Sequence, residues 1–387
     1  FSQEDASLQE SLDPNQDTPR SVFIYEQKMA LLCSIAETQG GARAIIDCGI
    51  LTQLAECNFL QMRPESNDSV IVSLFPELGS SALSRYQQLL FPTFHLCSAL
   101  LATLGGQSHH EVSALVLQFL LSHVNPIVNS VLKSQAIHTD IQALTELKLL
   151  TSILSETAGQ DFSDPTMYPS IPTPVLLDIQ GHLMRIQRQM LFLLPSFFLT
   201  DQLLKDLETK SKEELKEKFY SNILTLIHEI GSNILTYARV VVAARSPDAD
   251  STFLLFSPSL AESSFGNPDD HRRQPALGAL MRILHTCVSR FIAQRDSMSQ
   301  QEWKISNIET LSSQDLNELM SNQVINGGTP QTMSRAQEKK VAEFILKQSV
   351  QQKNTHLLEC LYNVLENCLL LLWQHVDYYV LRAVPTE

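Results

Sequence analysis

Residues 355–382, THLLECLYNVLENCLLLLWQHVDYYVLR, keep helical periodicity with no proline or glycine to interrupt it. One apolar stripe runs Leu357, Leu361, Val364, Cys368, Leu371, Leu372, His375 and Tyr379, at the three- and four-residue steps that share a helix face. A second runs Leu358, Tyr362, Leu365, Leu369, Trp373, Val376 and Val380. One stripe is enough to seat a surface helix on a core. Two need cover from two directions, by the rest of the fold or by a partner.

Working back from this helix, the chain is a succession of helix signals. Thr18-Pro19 is a cap followed by proline at the first helical position, predicting a helix to about residue 38, where Gly40-Gly41 breaks the pattern. Residues 42–48 and 50–57 read as two short helices meeting at Gly49, an armadillo-like unit in which glycine permits a sharp turn. A long helix over 81–104 contains Pro92, which predicts a kink rather than an end, because Phe94, Leu96, Cys97, Leu100 and Leu101 continue the apolar pattern. Capping boxes at Ser108, Thr139, Ser211, Ser312 and Ser334 mark further starts. Amphipathic helices are expected near 109–122, 125–134, 140–157, 174–194, 212–244, 277–296 and 334–352.

Residues 1–17 are acidic, polar and aperiodic, and are expected to be a disordered segment. Residues 18–387 are expected to form one solenoid region with irregular loops at about 60–80, 158–173 and 246–276. Within the last of these, residues 252–256 form a short apolar run without a strand partner in sequence. An extended segment packed on helices fits it better than a lone strand. More than ten consecutive helices exceed what a single bundle core covers, so the expected fold is all-α, an irregular α-helical solenoid of armadillo- or HEAT-like helix pairs.

Composition narrows the function. The 387 residues are 44% hydrophobic and only 18% charged, with a net charge of −14. Residues 1–80 hold much of the surplus, with 12 Asp and Glu against 4 Lys and Arg. Such a balance argues against a phosphate-binding groove and so against nucleic acid as a partner. The longest uncharged stretch of the terminal helix lies between Glu366 and Asp377, about half of what a membrane span needs. The chain opens on Phe1 without a signal peptide, and is expected to be a fragment or processed product. Seven cysteines, mostly at apolar helical positions, suit reduced buried thiols.

Sites for chemistry are hard to find. His109, His110, Glu111 and His123 have no metal-ligand spacing. Cys360 and Cys368 share one helix face without a second pair. The cluster Asp269-Asp270-His271-Arg272-Arg273, near Ser263-Ser264, lacks a nucleophile elbow, and Gly327-Gly328 lacks the residues of a phosphate loop. The basic face of Arg335, Lys339, Lys340, Lys347 and Lys353 is diluted by Glu338 and Glu343 and reads as solvated. His182 and His375 read as hydrogen-bonded core histidines. No catalytic residue, metal ligand or cofactor is expected, and the chain is not read as an enzyme.

Several segments, in order, resemble the C-terminal tail part of the giant inner-ring scaffold nucleoporins of the nuclear pore complex. They are Gln180-Gly181-His182 with Gln187-Arg188-Gln189, Leu255-Phe256-Ser257-Pro258-Ser259-Leu260, and Trp373-Gln374-His375-Val376-Asp377-Tyr378-Tyr379. Arg85-Tyr86-Gln87 through Pro92 and Val116-Leu117-Gln118-Phe119-Leu120 also fit. The resemblance implies a helical solenoid, a structural role at the nuclear envelope, and other nucleoporins as partners. In that family the coiled-coil scaffold nucleoporin of the inner ring inserts a short helical motif into the tail. A helix-in-groove contact is therefore expected on the second stripe, at Leu358, Tyr362, Leu369, Trp373, Val376, Tyr378 and Val380. Trp373, Tyr378 and Tyr379 are the residue types of interface anchors and equally of ordinary cores. A karyopherin-like transport receptor, or another solenoid adaptor, is the alternative reading.

Overall fold

The computed structural model describes residues 1, 4–12, 19–63, 82–105, 109–123, 141–160, 164–168, 171–198, 217–245, 253–260, 274–307, 339–344 and 355–382, with single positions between them. Eleven helices are named here: α1 (Asp5–Ser11), α2 (Pro19–Ala36), α3 (Gln39–Asp47), α4 (Ile50–Ala55), α5 (Ala82–Leu104), α6 (His109–Gln118), α7 (Ile141–Glu156), α8 (Thr173–Leu193), α9 (Glu217–Ala244), α10 (Leu277–Ser306) and α11 (Thr355–Val376). Among the described residues there is no strand, only a single parallel bridge between Ser257 and Ala276.

The helices stack along one direction. α2 packs on α5, α5 on α7, α7 on α9, α9 on α11 and α11 on α10. A second row, α3, α4, α6 and α8, leans on this first one. One continuous apolar core runs from Leu8 to Leu371, and each element touches chiefly its neighbours, which is the solenoid organisation. Chain order and stacking order part at the end: α11 follows α10 in sequence but lies between α9 and α10.

Local chemistry explains the boundaries. Thr38 takes an extended conformation and its side chain accepts from the Gly41 amide at 3.1 Å, so Gly40 and Gly41 open α3 instead of merely ending α2. Gly49 sits at φ 65, the left-handed region, where α3 hands over to α4. α5 runs unbroken through Pro92. The proline cannot donate to the preceding turn. Next to it the buried Tyr25 hydroxyl donates to the Leu89 carbonyl at 3.1 Å and lies 2.7 Å from Thr93 Oγ1, tying α2 to that part of α5.

Three expectations need correction. Residues 1–17 are not wholly irregular: α1 is a helix whose Leu8, with Leu12 just beyond it, is buried. It is too short to show periodicity, and tertiary bonds hold it. The Asp5 carboxylate accepts from the amides of Asn58 and Phe59, both at 3.1 Å, and so caps the 3-10 turn Asn58–Gln61. α10 continues to Ser306, ten residues past the expected end, because the polar run after Arg295 loses apolar spacing without containing a helix breaker. His182 is not a core residue: it is partly exposed, with Asp178 one turn away at 3.4 Å.

The capping boxes, residues 261–273, Gly327-Gly328, the side chains of His109 and His123, and most of the loop at 60–80 and of the helices near 125–134 and 334–352 lie outside the described residues. No described helix is long and apolar enough to cross a membrane.

Candidate partner-binding face

The two stripes of α11 have different fates. The first is the core stripe: Leu361, Val364, Cys368, Leu371 and His375 are buried, and Leu357 and Leu372 half-buried against them. Asn367 adds a cross-helix bond, donating to Thr236 Oγ1 of α9 at 3.0 Å. The second stripe faces outward. Trp373 is 71% exposed, Tyr362 59%, Val380 58% and Leu369 55%, with Val376 also open. Leu358 and Tyr378 are half-buried. The structure thus leaves uncovered an apolar row of a kind that monomeric surfaces seldom present.

Sequence reading missed the other wall of this face, which α10 supplies. A shallow groove is lined by Phe291 of α10 and by Thr355, Leu358, Glu359, Tyr362 and Asn363 of α11. Met281, Val288 and Ile292, at seven- and four-residue steps on α10, are exposed as well. Their spacing was readable in the sequence, but whether that stripe is covered depends on what lies beside α10.

Residues 253–260 strap the far end of α11. The amides of Leu255 and Phe256 both donate to His375 Nε2, at 3.1 and 3.2 Å, while His375 Nδ1–H donates to the Leu371 carbonyl at 2.7 Å. These partners fix the neutral tautomer, and burial lowers the histidine's proton affinity in the same sense. Tyr379, in the π-helical turn Asp377–Arg382, donates to the Phe256 carbonyl at 2.9 Å. The core reading of His375 holds; residues 253–256 pack on the helices without forming a strand, but bend at 255 and 256 instead of running extended. The strap also caps α10: Ser257 and Ser259 carbonyls accept from the amides of Leu277 and Gly278 at 3.0 and 3.1 Å. A side chain at Gly278 would meet the Leu260 carbonyl oxygen at 2.3 Å, so only glycine allows that approach.

Elsewhere the polar clusters serve packing. Glu146, almost fully buried on α7, pairs with Arg63 and accepts from Gln87 Nε2 at 2.8 Å. His110 sits 2.8 Å from Gln160 rather than near a ligand set, and Glu111 pairs with Arg43 at 2.9 Å. Among the described residues no group of His, Cys, Asp and Glu is placed to hold a metal ion. Cys360 lies 3.9 Å from His356 Nε2, but that same nitrogen is 2.7 Å from Glu229. Burial first, then Glu229, raises the Cys360 thiol to about 11, which keeps it protonated and unreactive at neutral pH. Lys347 pairs with Glu343 at 2.6 Å, in keeping with a solvated face.

The sequence matches, over residues 2–158, the family model described as nuclear pore complex scaffold, nucleoporins 186/192/205. It is 30% identical over 403 aligned residues to nuclear pore complex protein Nup205 of Homo sapiens, an alignment covering all of this chain and 19% of that protein. The chain is thus similar to proteins of this scaffold nucleoporin family. Nup205 of Drosophila melanogaster is 20% identical over 96% of the chain and 17% of its own length. The chain therefore spans about a fifth of the relatives it matches. α9, α10 and α11, which build the apolar face, lie beyond the segment the family model matches and within the alignment to the human protein.

Proposed function

We propose that this chain is the tail part of a nuclear pore inner-ring scaffold nucleoporin. It acts without catalysis, by receiving an amphipathic helical motif of the coiled-coil scaffold nucleoporin on the outer face of α11. The observation that carries the reading is the uncovered second stripe, with Tyr362, Leu369, Trp373, Val376 and Val380 in one row beside the groove at Phe291. An incoming helix with apolar anchors at three- and four-residue spacing matches the row's pitch. Exposed tryptophan and tyrosine on such a row are the usual energetic centres of protein interfaces. The likeness to this family supports the place of action, the nuclear pore complex of the nuclear envelope, and other nucleoporins as the partners.

The test is a pull-down from nuclear-envelope extract with the full chain and with its Leu369→Asp/Trp373→Ala double variant. Retention of the coiled-coil inner-ring nucleoporin by the wild-type chain, and its loss from the variant at unchanged melting temperature, is the expected result. Equal retention by both chains removes α11 as the docking face. Capture of the small GTPase Ran instead would point to a karyopherin-like transport receptor.

A further inference from the structure

The strap of residues 253–260 contains Ser257 followed by Pro258, and that pair suggests a use beyond packing. From the geometry we propose that Ser257 is a phosphorylation site for a proline-directed protein kinase, and that phosphorylation unseats the strap from α11 and α10. Such kinases take serine or threonine in extended chain with proline next, because the pocket behind the acceptor suits a residue without an amide hydrogen. Residues 253–260 are neither helix nor strand and bend at 255, 256 and 258, so the segment must open to become extended in a kinase cleft; Pro258, Ser259 and Leu260 are exposed. Ser257 itself is half-buried, and Leu255 and Phe256 before it are buried and held by His375 and Tyr379. The kinase therefore reaches Ser257 when the strap opens locally.

The chemistry is ordinary transfer. The Ser257 oxygen forms a bond to the γ-phosphorus of ATP, its proton passes to the kinase's base, and ADP leaves with the bonding pair of the broken bond. The product no longer suits its seat. Ser257 Oγ now donates to the Pro275 carbonyl at 3.4 Å. Once esterified it has no proton to donate, and the phosphate places charged acceptor oxygens beside that carbonyl. The positive N-terminal end of α10 attracts the phosphate. However, the Leu277 and Gly278 amides there are already taken by the carbonyls of Ser257 and Ser259. The phosphate reaches them only once the carbonyls of Ser257 and Ser259 have let go, so even its attraction to α10 requires the strap to leave its present seat. Release frees His375 and Tyr379, and with them the end of α11 that carries Val376 and Val380.

The full chain is incubated with a cyclin-dependent kinase and ATP, and the modified residue is located by mass spectrometry. Phosphate on Ser257, absent from Ser257→Ala, is expected. His375→Ala, which loosens the strap, should accept it about tenfold faster, and Tyr379→Phe provides a milder variant should His375→Ala fold poorly. Hydrogen exchange at residues 253–260 and 376–380 should rise after modification. No phosphate on Ser257 in any of these chains, or phosphate with unchanged exchange, overturns the proposal. The readouts need no nucleoporin partner, so they stand or fall apart from the docking role of α11.

Discussion

His375 and Phe256, far apart in sequence, meet twice: the Phe256 amide donates to the imidazole at 3.2 Å, and the two rings pack edge to face at 5.4 Å. The relationship predicts the outcome of two substitutions. His375→Ala leaves two strap amides without an acceptor and should lower stability by about 2–4 kcal/mol. Glutamine in its place restores an acceptor oxygen and should recover part of the loss. Denaturant melts of the two variants measure the difference; equal losses would mean that the imidazole only fills space.

Neighbouring residues of α11 should respond oppositely to truncation. Leu371→Ala opens a cavity in the core and should cost about 2–5 kcal/mol. Trp373→Ala, on the exposed row, should shift stability by less than about 1 kcal/mol despite the larger side chain. Thermal melts of both variants decide it, and a Trp373→Ala melting point as low as that of Leu371→Ala would place the indole in a core.

Acid should loosen the α9–α10 contact. His228 is buried, donates Nδ1–H to the Leu224 carbonyl, and accepts from Arg290 at 3.0 Å. Burial first, then Arg290, lowers it to about 4. The folded state therefore prefers the neutral ring, and the unfolded state binds the extra proton. Stability from this site is full above an unfolded value near 6.5. It is lost as pH falls from there and levels off near 4, a change of roughly 3 kcal/mol over the window. Denaturant melts between pH 7.5 and 4 should show this slope, and His228→Gln should flatten it.

At the other end of the stack, Asp5→Ala should destabilise by about 1–3 kcal/mol, because the buried Phe59 amide and the part-buried Asn58 amide lose their acceptor. Proteolysis near the start of the chain should accelerate in the same variant. An unaltered digestion pattern would show that Leu8 and Leu12 alone hold α1.

Which features were legible in the sequence follows from how local their causes are. Gly49, Pro92 and the two stripes of α11 act through their own helix or turn: Gly49 takes the left-handed conformation, the helix continues through Pro92, and one stripe of α11 is buried while the other stays open. α1 was invisible because Asp5 works through amides more than fifty residues away. The α10 wall of the partner-binding face was missed for a related reason. Phe291 reads as one apolar residue among several on α10, and only packing makes it line a groove with α11. The imidazole of His375 was readable as a buried polar group in need of partners, yet nothing local named Leu255 and Phe256 as those partners.

The order of stacking bears on how the chain is made. A ribosome delivers α9, then α10, and only later the helix that belongs between them. Until residue 375 has emerged, the strap has no imidazole to hold it, and the facing sides of α9 and α10 stay open to water and to chaperones. α11 works as a keystone: it arrives after both and fills the space between two helices that also touch through Arg290 and His228. Nascent chains arrested before residue 355 should expose that unfilled slot.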